Sequence, residues 1–130
     1  MTSGERGQEP RNDSESPTQA LTAPDPVAAL QNAAALWAEQ NTSPETLARS
    51  ERLRDKVSAV TSFFEFAGKH PGEVTPEDVS RWRKEMEGRA LMPATVYARI
   101  SRLSAFYRWL ISDPQLSAFI RSNPAAQARA

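Results

Sequence analysis

Two sets of side chains in this sequence have the types and spacing to do chemistry. Thr95, Arg99 and Arg102 recur at intervals of four and three, and Arg49, Arg52 and Lys56 at three and four, so on a helix each set shares one face. Rows of guanidinium and ammonium groups flanked by a hydroxyl donate to phosphate oxygens, and an arginine fork also matches the edge of a guanine. Polyanion recognition is the chemistry such rows supply. A plain alternative is that the cations solvate an outer face. Glu51 and Asp55 are expected on a different side of the second row, whereas a merely solvated face interleaves its signs.

Other reactive groups offer less. The sole histidine, His70, stands beside Pro71 in a turn with no nucleophile or second ligand near it in sequence, which reads as a surface position. Tyr97 and Tyr107 fall within a helix, and Tyr107 belongs to its core stripe. There is no cysteine, no phosphate-cradling glycine loop and no cluster with metal-ligand spacing, so no cofactor and no small-molecule substrate are expected.

The elements that position the rows are helical in period. Over Met92–Ser112, Val96, Ile100, Leu103, Tyr107 and Leu110 form a buried stripe, and Pro93 suits the first turn. Ser43, Pro44 and Glu45 mark the start of a second long helix with Thr46 in its first turn. Its core stripe is Leu53, Val57, Val60, Phe64 and Ala67, and Gly68 stops it. Asp25 and Pro26 open a helix to about Gln40 with a narrow, alanine-rich stripe of Val27, Leu30, Ala34 and Trp37. Thr75-Pro76-Glu77-Asp78 is a capping signature for a helix that buries Val79, Trp82 and Met86, and Asp113-Pro114 begins a short one containing Leu116, Phe119 and Ile120. No segment alternates as a strand would. The expected fold is all-α, a compact bundle of four to five helices over residues 25–123.

Flanking segments are expected to be unstructured. Residues 1–24 contain only Met1 and Leu21 as large apolar side chains, too few to offset the entropy of ordering, and 124–130 read as the start of a linker. The zero net charge is unevenly spread: residues 1–42 carry two basic and six acidic groups, and residues 43–130 carry fourteen and ten. A basic folded part behind an acidic tail suits a polyanion partner. No apolar run approaches the roughly 18 residues of a membrane span, so no membrane partner is expected.

The order of these pieces resembles a known family. A long helix closing in FFEFAG, VTPEDV opening the next, then PATVYARISRLSAFYRWL and finally NPA, resembles the core-binding domain of tyrosine recombinases, the phage-integrase family, over about 43–126. With the helix at 27–40 the likeness extends to the five-helix, SAM-like arrangement of Cre-type members. The resemblance implies that the second and fourth helices lie in major grooves of duplex DNA at a recombination half-site. It carries that role onto Thr46, Arg49, Arg52 and Lys56, and onto Thr95, Ala98, Arg99 and Arg102. It implies contacts with other recombinase protomers on DNA, with Val27, Leu30, Trp37 and Phe119 as candidates, although ordinary packing within the chain also accounts for them. The family's strand-cutting arginine, lysine, histidine–arginine pair and tyrosine lie in a separate domain, so this chain is expected to bind DNA without cutting it, in the cytoplasm with the nucleoid. Two other uses of the same sequence stay open: a helical protein-interaction module whose arginines only solubilise it, and a non-catalytic regulator of a full recombinase.

Overall fold

Proline sets where almost every helix begins. In the computed structural model, which describes residues 16–21 and 25–129, the helices are α1 (Pro17–Ala20), α2 (Pro26–Gln40), α3 (Arg49–Ala67), α4 (Pro76–Gly88), α5 (Pro93–Ile111), α6 (Pro114–Ser117) and α7 (Pro124–Arg129), with a 3₁₀ turn at Pro71–Glu73. A first-turn proline loses no hydrogen bond, because its N–H would have had no partner within the helix. Short polar side chains complete the starts: Asp25 accepts from the N–H of Val27, Thr75 from Asp78, and Asp113 from Gln115. No strand is found among the described residues.

The exception is α3, which begins at Arg49 and not near Pro44. Ser43 to Ala48 form turns: the Thr46 N–H donates to the Ser43 carbonyl at 3.1 Å, and Ala48 takes a left-handed conformation (φ 54°) as the N-cap, with no capping side chain. Thr46 therefore precedes the helix and does not share the face of Arg49 and Arg52. What competes with the early start is Ser43, which hydrogen-bonds the Glu45 side chain and accepts from its N–H at 3.3 Å, diverting the chain into a local turn.

At the centre lies α5, packed against α2, α3, α4, α6 and α7. Val96, Ile100, Leu103, Tyr107 and Leu110 are all buried, as their spacing predicts, and Phe106 joins them. Phe106 meets Trp37 edge-on at 5.5 Å and Phe64 at 6.2 Å, while Phe63 meets Trp82 at 5.2 Å. Such edge-to-face pairs add about 1 kcal/mol each beyond burial. Val79, Trp82 and Met86 of α4 are buried as expected. On α3 the core face is Ala59, Val60, Phe63 and Phe64, rotated from the expected stripe, so that Leu53 and Val57 are only half-buried. On α2 the buried face is Ala29, Ala33, Ala34, Leu36, Trp37 and Ala38, and Val27 stays exposed.

Both flanks carry helix where none was expected. Within the segment read as an unstructured tail, Ser16 and Gln19 form a capping box for α1, and Thr18 donates from its N–H and its hydroxyl to one oxygen of Asp113, at 3.0 and 2.7 Å. The remainder of that tail, 1–15 and 22–24, lies outside the described residues. The segment read as a linker is α7. The Asn123 side chain accepts from the N–H groups of Ala125 and Ala126, its amide donates to the Ser104 carbonyl and hydroxyl, and Ala125 is fully buried against the core. Small residues were enough because α4 and α5 come close there. In α6, Ile120 just beyond its end is buried, but Phe119 points outward, 73% exposed.

One carboxylate is enclosed. Asp78 accepts from the Lys69 ammonium at 3.0 Å, from the Thr75 N–H at 2.9 Å and its hydroxyl at 3.2 Å, and from Arg81. Burial pushes its pKa up, but the Thr75 N–H, the Lys69 ammonium and the Thr75 hydroxyl together outweigh it and hold the group below its ordinary value of 3.8. A depressed folded pKa adds stability above the unfolded value that is lost as pH falls through the folded one. The urea midpoint of the protein should therefore fall below about pH 4, and the gap to an Asp78→Asn variant should narrow there; a gap constant with pH would mean that Asp78 is not charged in the fold. At the end of α4, Leu91 and Ala90 donate to the Met86 and Glu87 carbonyls, with Ala90 left-handed (φ 62°) where glycine is usual. Ala90→Gly should raise stability by about 1 kcal/mol, read as a melting temperature higher by about 5 °C.

Candidate nucleic-acid interface

Beside the buried stripe of α5, the adjoining flank of the helix faces α3 and solvent. Thr95 is exposed, Ala98, Arg99 and Arg102 are half-buried, and the two arginines reach a cleft of about 350 Å³ between the helices. Asp55 and Ser58 of α3 line its other side, and Ala94 and Ala98 of α5 add small apolar side chains to the lining. A second cleft of about 470 Å³ adjoins it, bounded by Trp37 and Asn41 at the end of α2, by Lys56, and by Tyr97, Ser101 and Ala105 of α5. Ala98 and Arg102 border both.

The two expected rows therefore come together, but their members divide into two kinds. The Arg49 guanidinium donates to the Thr42 carbonyl at 3.4 Å, with its Nε enclosed and unpartnered. Lys56 donates to the Asn41 carbonyl and the Thr42 hydroxyl, both at 2.7 Å, with its Nζ 5.9 Å from the centre of the Trp37 ring. Both side chains tie the link between α2 and α3 to the start of α3, and Lys56 keeps a third proton to donate. Arg52, Arg99 and Arg102 are different. The ion pairs among the described residues are Lys69–Asp78, Arg81–Asp78 and Arg89–Glu85, and none involves those three guanidiniums.

Lys56 reports how close these charges lie. Burial of the ammonium lowers its pKa, and the like charges of Arg102, from α5, and Arg52, from its own helix, lower it further. An anion seated between the helices would meet all three fields at once. The segregation of acids from bases is less complete than expected, since Asp55 stands in the same cleft as Arg99 and Arg102. Its separation of three residues from Arg52 already puts it on that flank of the helix.

Other positions singled out in the sequence separate clearly. Trp37 is 2% exposed, packed in the core against Phe106 and bordering the second cleft, whereas Val27 (64%) and Phe119 (73%) are open and Leu30 is half-buried. Tyr107 is enclosed, its hydroxyl donating to the Pro71 carbonyl at 2.6 Å, and burial followed by the nearby charge of Asp78 pushes its pKa up. His70 is exposed and accepts from the Gly72 N–H at the 3₁₀ turn. No helix among the described residues is long and apolar enough to cross a membrane. No family profile, no curated protein and no solved structure matches the chain.

Cations held near one another without carboxylate partners repel. Arg102→Gln should therefore raise the melting temperature at low salt by 2–3 °C, equivalent to about 0.4 kcal/mol. The gain should vanish in 0.5 M salt, where the screening length is only about 4–5 Å. A lower melting temperature would identify the guanidinium as a structural bond.

Proposed function

We propose that this chain binds double-stranded DNA through the facing flanks of α3 and α5, in the manner of the tyrosine-recombinase core-binding domains that its sequence resembles. The observation that carries the reading is the cleft between the two helices, lined by Arg99 and Arg102 and adjoined by Lys56 within the field of Arg52, where none of the three arginines forms an ion pair and Asp55 is the one carboxylate in the lining. Lone surface arginines commonly find a carboxylate neighbour, and three left open on two adjoining helices match a ligand that brings its own row of negative charge. The contacts sort by chemistry. Arg52, Lys56 and the Thr95 hydroxyl suit phosphate oxygens, and Arg99 and Arg102, within the cleft, suit base edges.

In this reading the chain grips a recombination half-site and performs no strand cleavage of its own. In the family that the sequence resembles, the strand-cutting tyrosine and its cations belong to a separate domain; of the two tyrosines here, Tyr107 has its hydroxyl committed to Pro71 inside the core, and Tyr97 stands exposed on the proposed binding face beside Lys56 and Arg102. Other protomers on the same DNA would meet the open Val27 and Phe119. A regulator that competes with a full recombinase would use the same surface, and either role places the protein in the cytoplasm at the nucleoid. The exposed apolar side chains Val27, Leu47, Met92 and Phe119 favour a second reading, a protein-interaction module. Sedimentation equilibrium without DNA separates the two, because tight self-association in the absence of duplex belongs to the second.

Binding to a fluorescent duplex should weaken with salt, the logarithm of affinity falling with a slope of about −3.6 if Arg52, Lys56, Arg99 and Arg102 each release one counterion. Arg99→Ala and Arg102→Ala should each reduce affinity without lowering the melting temperature. A signal that does not respond to salt, or arginine variants that bind as the parent does, would overturn the proposal.

A further inference from the structure

The cleft between α3 and α5 contains one group that a phosphate-binding surface should lack. Asp55 projects from α3 beside Arg99 and Arg102, is exposed, and forms no hydrogen bond or ion pair among the described residues. A phosphodiester offers oxygen acceptors only, so a free carboxylate at this place opposes it. A carboxylate is satisfied by a donor, and the duplex presents donors in the major groove only as the exocyclic amines of cytosine and adenine. Adenine sets an acceptor, N7, beside its amine and is matched by an amide that both donates and accepts. Cytosine offers its N4 amine without a neighbouring acceptor, and its paired guanine offers O6 and N7 together, which fit an arginine fork. Ala94 and Ala98 also line the cleft, and their methyl groups add no competing hydrogen-bonding group.

We infer that Asp55 is a specificity-determining residue that accepts a hydrogen bond from the N4 amine of a cytosine, while Arg99 or Arg102 engages guanine in the same or the adjoining base pair. The inference rests on the duplex-binding reading above and adds to it a preference that a row of cations alone does not have. The arrangement also explains why an acidic group is tolerated in a basic cleft. It lowers affinity for any sequence that presents no donor to it, which discriminates by rejection as well as by attraction.

The test is selection of the full chain against a library of randomised duplexes, followed by sequencing, with Asp55→Ala and Asp55→Asn carried in parallel and melting temperatures compared. The Asp55 side chain is exposed and unbonded, so each substitution should leave the protein folded, with at most a small drop in melting temperature from the loss of one carboxylate beside Arg99 and Arg102. The parent should enrich a cytosine–guanine pair at one position. Asp55→Ala should lose that preference by about tenfold while keeping its dependence on Arg99 and Arg102, and Asp55→Asn should shift the preference there to adenine. If Asp55→Ala enriches the same sequences as the parent, or if the parent binds duplex with no sequence preference, this inference fails and duplex binding stands. If the parent retains no duplex at all, both fail.

Discussion

The rotation of α5 about its own axis is the constraint on which the rest of the structure depends. Val96, Ile100, Leu103, Phe106, Tyr107 and Leu110 are all buried, and together they occupy about a third of the helix circumference. Burying an aliphatic or aromatic side chain is worth about 2 kcal/mol, so turning the helix enough to hide Arg99 or Arg102 would expose several of these groups. Tyr107 adds a directional lock, because its hydroxyl has one partner, the Pro71 carbonyl, and would be left without a bond elsewhere. The half-buried placement of the arginines, at the edge of the stripe, is thus a consequence of what the rest of that face must bury.

A second consequence concerns charge. The chain brings Lys56, Arg52 and Arg102 within one another's field and gives the two arginines no carboxylate. That arrangement is unfavourable in the free protein and persists because the aromatic core sets the helices independently of it. Elsewhere the same chain satisfies its carboxylates: Asp78 pairs with Lys69 and Arg81, and Asp113 accepts from Thr18 and from the Gln115 N–H. The contrast between two satisfied carboxylates and one unsatisfied basic cleft is hard to attribute to composition, since the numbers of acidic and basic residues are equal. It fits a surface kept open for an anionic ligand.

Small side chains perform a quieter role. Ala59 is fully buried on α3, Ala94 and Ala98 face the cleft from α5, and Ala125 is buried beneath α7. They let helix backbones approach, and at the cleft they leave room that a larger residue would fill. Alanine carries little hydrophobic signal, so α7 reads in sequence as a polar tail although Asn123 caps it and Ala125 anchors it.

Local chemistry alone determined the helical class, the proline and cap positions that open α2, α4, α5 and α6, and the buried faces of α4 and α5, because a cap and a 3.6-residue stripe act within a few residues of themselves. The basic spacing of Arg49, Arg52 and Lys56, and of Thr95, Arg99 and Arg102, was legible in the same way. Only the tertiary structure decided that Phe63 joins Val60 and Phe64 in the core while Leu53 and Val57 stay half-buried, that Trp37 turns inward against Phe106, and that Asp55 shares a cleft with Arg99 and Arg102. It also decided that Arg49 and Lys56 hold the α2–α3 link while Arg52, Arg99 and Arg102 stay open. The inward turn of Trp37 and the meeting of Asp55 with Arg99 and Arg102 depend on which helix lies opposite, and a contact between residues forty or more positions apart leaves no trace in the spacing of either one.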